Sequence, residues 1–463
     1  MEITTINKAD FGEDFKWGVT ISAYQNEGAV AEDGKGPNIW DKFTARQGKI
    51  KTGENANQAC NFYHNYPQDI ALAKDLNFEN FGFSVAWSRI FPNGTGTVNQ
   101  KGIDFYNRVI DNLLEQGIDP WITLYHWDLP QALEDKGGWA NRDILGWFGD
   151  YADTCTRAFG DRVKNYKVLN EPSAFTGFGY MTGEHAPGHK DIFKFLAAAH
   201  HANLCQADGG RIVKQNVKDS HVGTSFATFC VENHSDNWLD VRAHRVIDAI
   251  INKMFVEPLV GLGYPYKDFP AMRLVELFFK TGDDERLKFD FDFLGIQYYC
   301  RLVAKFSLHP FLAFAYEVPA KERNVPINNM GFEIYPEGMY AVLKRYAAYP
   351  NVKKLIVTEN GVCLNDILHN GAVDDTVRIQ FYKDYLANVL KAKQEGIPVE
   401  GFFCWTLTDN FEWWEGYHAR FGLVHVDHHT QQRTIKNSGL WIKDFLGNPK
   451  NQVIMAHLLS SSI

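Results

Sequence analysis

The 463-residue chain has only seven cysteines, scattered and without a CxxC pair. That argues against a disulfide framework or a cysteine-framed zinc site, and it fits a reducing compartment, the cytoplasm. No apolar stretch approaches the roughly 18 residues needed to span a membrane. The amino-terminal MEITTINKADFGEDF lacks both the basic and the apolar region of a secretory leader, so none is expected. No basic run offsets the net charge of −9, so nucleic acid is not an expected partner and a neutral or cationic small molecule fits better. No linker or low-complexity tract divides the sequence, and a single domain over residues 1–463 is expected.

Aromatic residues, in contrast, are plentiful at 14%, with 12 Trp. Most belong in a large core, but Trp faces also suit the apolar patch formed by the axial C–H groups of a sugar ring. Hydrophobic residues at 45% and charged residues at 22% describe a folded chain with much to bury.

Eight apolar, β-prone segments recur: 15–24, 78–87, 120–127, 164–171, 221–229, 291–299, 353–360 and 400–407. Several are almost continuously apolar, as parallel strands covered on both faces are. Helical patterns lie between them, for example 105–117, 144–160 and 377–396. Gly117 and Gly396 suit left-handed helix ends leading into the third and eighth segments. Eight alternations predict a (β/α)8 TIM barrel, and the missing GxGxxG after the first segment counts against an open dinucleotide-binding sheet. Polar and aromatic residues gather at the carboxyl ends of these segments: Gln25, Trp87, Arg89, His126, Trp127, Asn170, Glu171, Tyr299, Glu359, Asn360 and Trp405. In a barrel those ends meet at one mouth.

Glu171 (LNEP) and Glu359 (TENG) each end an apolar strand, where an unpaired carboxylate is costly. On the fourth and seventh of eight strands they would face each other across the mouth. Two such carboxyls suffice to cleave an acetal: one protonates the leaving oxygen and the other faces an oxocarbenium-like centre. Their separation, which distinguishes retention from inversion, is not readable here. A metal-dependent hydrolase built on His126 and Asp128 is the rival, but the 16 His show neither HExxH nor HxH on a strand.

The ordered motifs FKWGVTISAYQNEGA, SVAWSRIFPNG, TLYHWDLPQAL, LNEP, FDFLGIQYY, GFEIYPEG, LIVTENG and TLTDNFEWWEGYHARFGLVHVD resemble glycoside hydrolase family 1, the β-glucosidase family, over nearly the whole chain. The resemblance implies a retaining, exo-acting β-glycosidase with no cofactor or metal, acting on a small β-glycoside or oligosaccharide. Glu171 would be the acid/base and Glu359 the nucleophile. Tyr299 would hydrogen-bond the nucleophile, and Arg89 would hold it ionised. Gln25, His126 and Asn170 would bind sugar hydroxyls, Trp405 would be the floor, Glu412 and Trp413 would grip the 4- and 6-hydroxyls, and Trp127, Gln297 and Phe421 would also bind the substrate. Glu412, with no Lys in EWWEGYHARFG, points away from the branch that takes 6-phosphorylated sugars. An intact Glu171, where the plant thioglucosidase branch has Gln, points to ordinary O-glycosides.

Three departures stand out. Gln297 replaces the Asn of INYY, with one more methylene to reach toward the acid/base or crowd it. Phe332 replaces a Trp that flanks the leaving group. Asn26 replaces an apolar residue and, in a strand, would face away from Gln25. The apolar run HPFLAFAYEVP, inside the loop expected over 301–329, is read as an outer wall of the site or a contact between copies.

Overall fold

The structure, a computed structural model, describes residues 6–309 and 311–447. The first five residues of the segment read for a leader, Pro310 of the apolar run and residues 448–463 lie outside them.

Eight parallel strands form the barrel: β1 (Lys16–Thr20), β2 (Asn80–Ser84), β3 (Asp119–Tyr125), β4 (Asn165–Asn170), β5 (His221–Asn233), β6 (Phe293–Phe306), β7 (Leu355–Asn360) and β8 (Val399–Trp405). Neighbours in sequence pair in order, and β8 returns to β1 with Lys16 opposite Gly401 and Thr20 opposite Trp405, which closes the sheet. All eight expected strands are present. Every residue of β2 and of β7 is buried, because helices cover the outside and side chains fill the inside. Trp121, Phe293, Ile356 and Phe403 form an aromatic-rich cluster from β3, β6, β7 and β8. A Cβ on Gly18 would stand 2.3 Å from the Phe403 ring, so β1 gives up a side chain there to admit it.

The expected helices form at Gln100–Glu115, Ile144–Phe159 and Thr376–Gln394. Gly117 (φ +68°) and Gly396 (φ +84°) take the left-handed turn. Three of the strand ends that depart from expectation shape the mouth. β1 stops at Thr20, and Ala23–Asn26 make one helical turn because the Ala23 N–H donates to Ser84 Oγ at 2.7 Å. β2 stops at Ser84, where the Ala86 N–H is taken by the Tyr106 hydroxyl at 2.7 Å and Trp87–Ile90 turn into a helix. β6 runs on to Phe306 beside β5 and is joined by the antiparallel strand Ala315–Glu317. Residues 301–306 and 315–317 of the expected loop are therefore sheet, and they raise one wall of the mouth.

Candidate active site

β4 and β7 lie three places apart in the ring and carry the two carboxylates to the mouth. Glu171 directly follows β4 in a left-handed conformation (φ +47°), and its N–H donates to the Ser225 carbonyl at 2.9 Å. A non-glycine residue held there stores strain, a common mark of a working side chain. Glu359 sits within β7, accepting the Tyr299 hydroxyl proton at 3.0 Å. Both are buried, and both line one cavity of about 530 Å³ with His126, Trp405, Glu412 and Phe421.

The sugar-reading candidates converge around them. Gln25 donates to Glu412 at 3.0 Å and to Asn410 at 3.3 Å, while Ser22 donates to Gln25 at 2.6 Å. Gln297 donates to Asn170 Oδ1 at 2.7 Å, and Asn170 Nδ2 lies 3.2 Å from His126 Nε2. Because the Asn170 oxygen already accepts, its amino group donates, and His126 Nε2 must be the acceptor. Burial, and then Lys167, push the His126 pKa well below its ordinary value, so a neutral ring fits that role. Trp127 donates from its indole to the Asn170 carbonyl at 2.9 Å and packs on Trp413, ring centres 4.6 Å apart. Phe421 meets Tyr299 edge-on at 6.1 Å. The extra methylene of Gln297 thus reaches Asn170, next to Glu171, and does not crowd it out. Asn26 is helical, so the strand argument for its direction fails; its amide bonds the Ser22 carbonyl and the Thr408 hydroxyl, both packing contacts.

Arg89 is not beside Glu359. The helical turn after β2 carries its guanidinium onto Glu27, 3.0 Å away, and over the Tyr63 ring at 4.3 Å. Trp87 turns away as well, stacking on Tyr151. The cation that acts on Glu359 is Lys167, inside β4. Between Lys167 and Asn170 the pairing of β4 with β5 shifts: these partner Gly223 and Ser225, three steps against two. This bulge lets both residues point inward despite their odd spacing. A Cβ on Gly82 of β2 would meet Lys167 Nζ at 3.6 Å, so the amine crosses the barrel interior to the face of a strand two places away. A lone Lys within an apolar strand (YKVL) was the signal available in the sequence. Asn410 and Ser22, which steer Gln25, carried none.

The environments of the carboxyls differ. Burial raises all three. Glu359 rises to about 7, restrained by Lys167, Tyr299 and Gln297. Glu412 rises to about 8 through burial and then Glu359. Glu171 is driven well above the usual range by burial, Glu359 and Glu412, with no cation opposing them. Asp409, three residues before Glu412, accepts from Lys436, Arg420 and the Gly422 N–H. Burial opposes that ionisation, yet Lys436 and Arg420 keep the Asp409 carboxyl down to about 2.

A stability prediction follows from Glu412. Its folded pKa lies above its unfolded value of 4.5, so the folded state holds an extra proton between about pH 4.5 and 8 and loses stability as pH rises through that window. Glu412→Gln has no such proton to lose. Its Tm, relative to wild type, should climb steadily from pH 5 to pH 8; a constant difference would show that Glu412 does not titrate there.

The sequence profile of glycosyl hydrolase family 1 matches residues 7–451. Beta-glucosidase A of Thermotoga maritima is 40% identical over 96% of this chain and 99% of its own length. A 1,4-beta-D-glucan glucohydrolase of Thermotoga neapolitana is 40% identical over 95% and 98%. Among solved structures, the Thermotoga maritima β-glucosidase in complex with deoxynojirimycin superposes with a TM-score of 0.92 at 40% identity, covering 96% of this chain and 99% of that one. The AHE enzyme of Alicyclobacillus herbarius does so with a TM-score of 0.92 at 37% identity, covering 96% and 98%. With a closed barrel, two carboxylates at the ends of β4 and β7, and this likeness along nearly its whole length, the chain belongs to glycosyl hydrolase family 1.

Proposed function

We propose that Glu359 is the nucleophile and Glu171 the acid/base of a retaining β-glucosidase acting on terminal, non-phosphorylated β-linked sugars. The observation that carries this division is the asymmetry of charge: Glu359 has Lys167 and the Tyr299 hydroxyl to hold it ionised, whereas Glu171 has only acids acting on it and keeps its proton. Glu359 attacks the anomeric carbon as the glycosidic bond breaks, and the leaving oxygen takes the Glu171 proton. The ester that results carries no charge at Glu359. One of the acidic influences on Glu171 is then gone, its pKa falls, and it accepts a proton from the water that attacks the glycosyl-enzyme. The water oxygen ends on the sugar, and both carboxyls return to their starting states. The names of the relatives support glucose as the sugar. Proton NMR of a fresh digest of an aryl β-glucoside should show β-glucose before α-glucose; α-glucose first would overturn the mechanism.

Gln25 and Glu412, bonded to each other, and His126 and Asn170, also bonded, are the proposed hydroxyl readers over a Trp405 floor, with Trp127, Trp413, Gln297 and Phe421 around them. Glu412 gives a 6-phosphate no cation to pair with, and its ionised fraction repels one. Lys51, brought onto Trp414 from far away in sequence, is committed to Glu415 at 2.5 Å. We therefore expect kcat/KM for p-nitrophenyl β-glucoside to exceed that for its 6-phosphate by about 10³-fold or more, which corresponds to about 4 kcal/mol. Comparable values would remove Glu412 from that role. The chain is read as one catalytic unit. Its seven cysteines are all free thiols, which supports a reducing compartment, the cytoplasm, and among the described residues no helix is long and apolar enough to cross a membrane.

A further inference from the structure

The mechanism uses only the floor of the cavity. Its outer walls are largely apolar, with Phe178, Met181, Ile247, Ile250, Met330 and Phe332, while Arg301, Glu317 and Glu333 line it from the side of β6. Beside it lies a second cavity of about 740 Å³, and the two share Met181, Thr182, Glu184 and Ile250 as common wall. Three of these four, Met181, Thr182 and Ile250, come from two π-helical stretches, Gly177–Thr182 and Ala249–Lys253. Such stretches are rare and are frequent at functional sites. Met181 and Ile250 are half-buried there, and the unbranched Met is a pliable wall residue.

Past this wall the second cavity is lined by buried Phe195, Leu196, Met254 and Met272. A volume of this size is that of a ligand site. A further sugar unit would need a polar partner for each hydroxyl, and these four side chains offer none. Glu184, Lys190 and Asp191, the charged lining residues, are exposed, and two of the three are acidic, which disfavours an anionic chain.

We propose that the leaving-group side accepts a long, uncharged, unbranched hydrocarbon chain, which passes Met181 and Ile250 into the second cavity, so that alkyl glucosides and neutral glycolipids are a substrate class of this site. The proposal rests on the β-glucosidase reading above. It is tested by kcat/KM for n-alkyl β-glucosides from methyl to decyl, below their micelle concentrations, beside p-nitrophenyl β-glucoside and cello-oligosaccharides. Burial of each methylene should raise kcat/KM about fourfold until the chain fills the space. Ala271→Trp, on the exposed rim of the second cavity, should flatten the series at long chains and leave its slope at short chains; Ile250→Lys should flatten it from the shared wall onward. A flat series from butyl to decyl, with kcat/KM rising along the cello-oligosaccharides instead, would overturn the proposal and leave the β-glucosidase reading standing. No hydrolysis of the methyl and aryl glucosides would overturn both.

Discussion

Glu359→Ala is expected to lower kcat/KM for an aryl β-glucoside by about 10⁴-fold or more, which corresponds to about 5.4 kcal/mol. The methyl group left behind cannot form the glycosyl-enzyme. Glu412, the other carboxyl restrained within the site, is tied to Gln25 and is not free to substitute. The loss should be similar for every leaving group, because bond formation at the anomeric carbon fails in all cases. Glu171→Ala should behave differently. With dinitrophenyl glucoside the leaving group departs without a proton, so the first step survives and the second, now lacking its base, becomes slow. A burst of dinitrophenolate equal to the enzyme concentration should appear. If Glu359→Ala gives the burst and Glu171→Ala abolishes the first step, the two assignments are reversed.

The second large effect is expected at Lys167. Lys167→Met removes the cation that restrains Glu359. The carboxyl then rises further above about 7, and its ionised fraction at any given pH falls. The acid limb of the kcat/KM profile should move to higher pH by a unit or more, and activity on the acid side should drop at least tenfold. Lys167→Arg should restore the limb toward its original position. A role in packing alone would lower activity at every pH without moving the limb. Lys167 touches neither leaving group nor water in this scheme and is a positioning residue. Its own pKa is pushed down to about 8 by burial, against the pull of Glu359, so it is charged across the range where the limb is read.

How far the site was legible in sequence depends on how local its causes are. The eight strands could be read because a parallel strand covered on both faces must be apolar along its length, and that leaves runs such as KKLIV. Glu171 and Glu359 stood out because a carboxylate ending such a run conflicts with it. Tyr299, two residues past Gln297 on β6, donates its hydroxyl to Glu359. Arg89 does not meet Glu359, because its direction depends on where β2 ends. That end is set by the Tyr106 hydroxyl capturing a backbone N–H from another helix, which no pattern within WSRI records. Lys167 lay in plain view, yet strict alternation gives it a parity different from that of Asn170. Only the bulge opposite Gly223 and Ser225 turns both inward, and only the bare Gly82 two strands away leaves room for the amine.

By itself, then, the amino-acid sequence determined the barrel, the order of its strands and the pair of carboxylates at its mouth, because hydrophobic runs and strand-end chemistry are properties of contiguous residues. The tertiary structure alone decided which cation acts on Glu359, how the surroundings of Glu171 and Glu359 differ, and that a second cavity shares a wall with the first. Those depend on burial and on distances between segments as far apart as Met181, Ile250 and Met272, and charge and volume act through space, not along the chain.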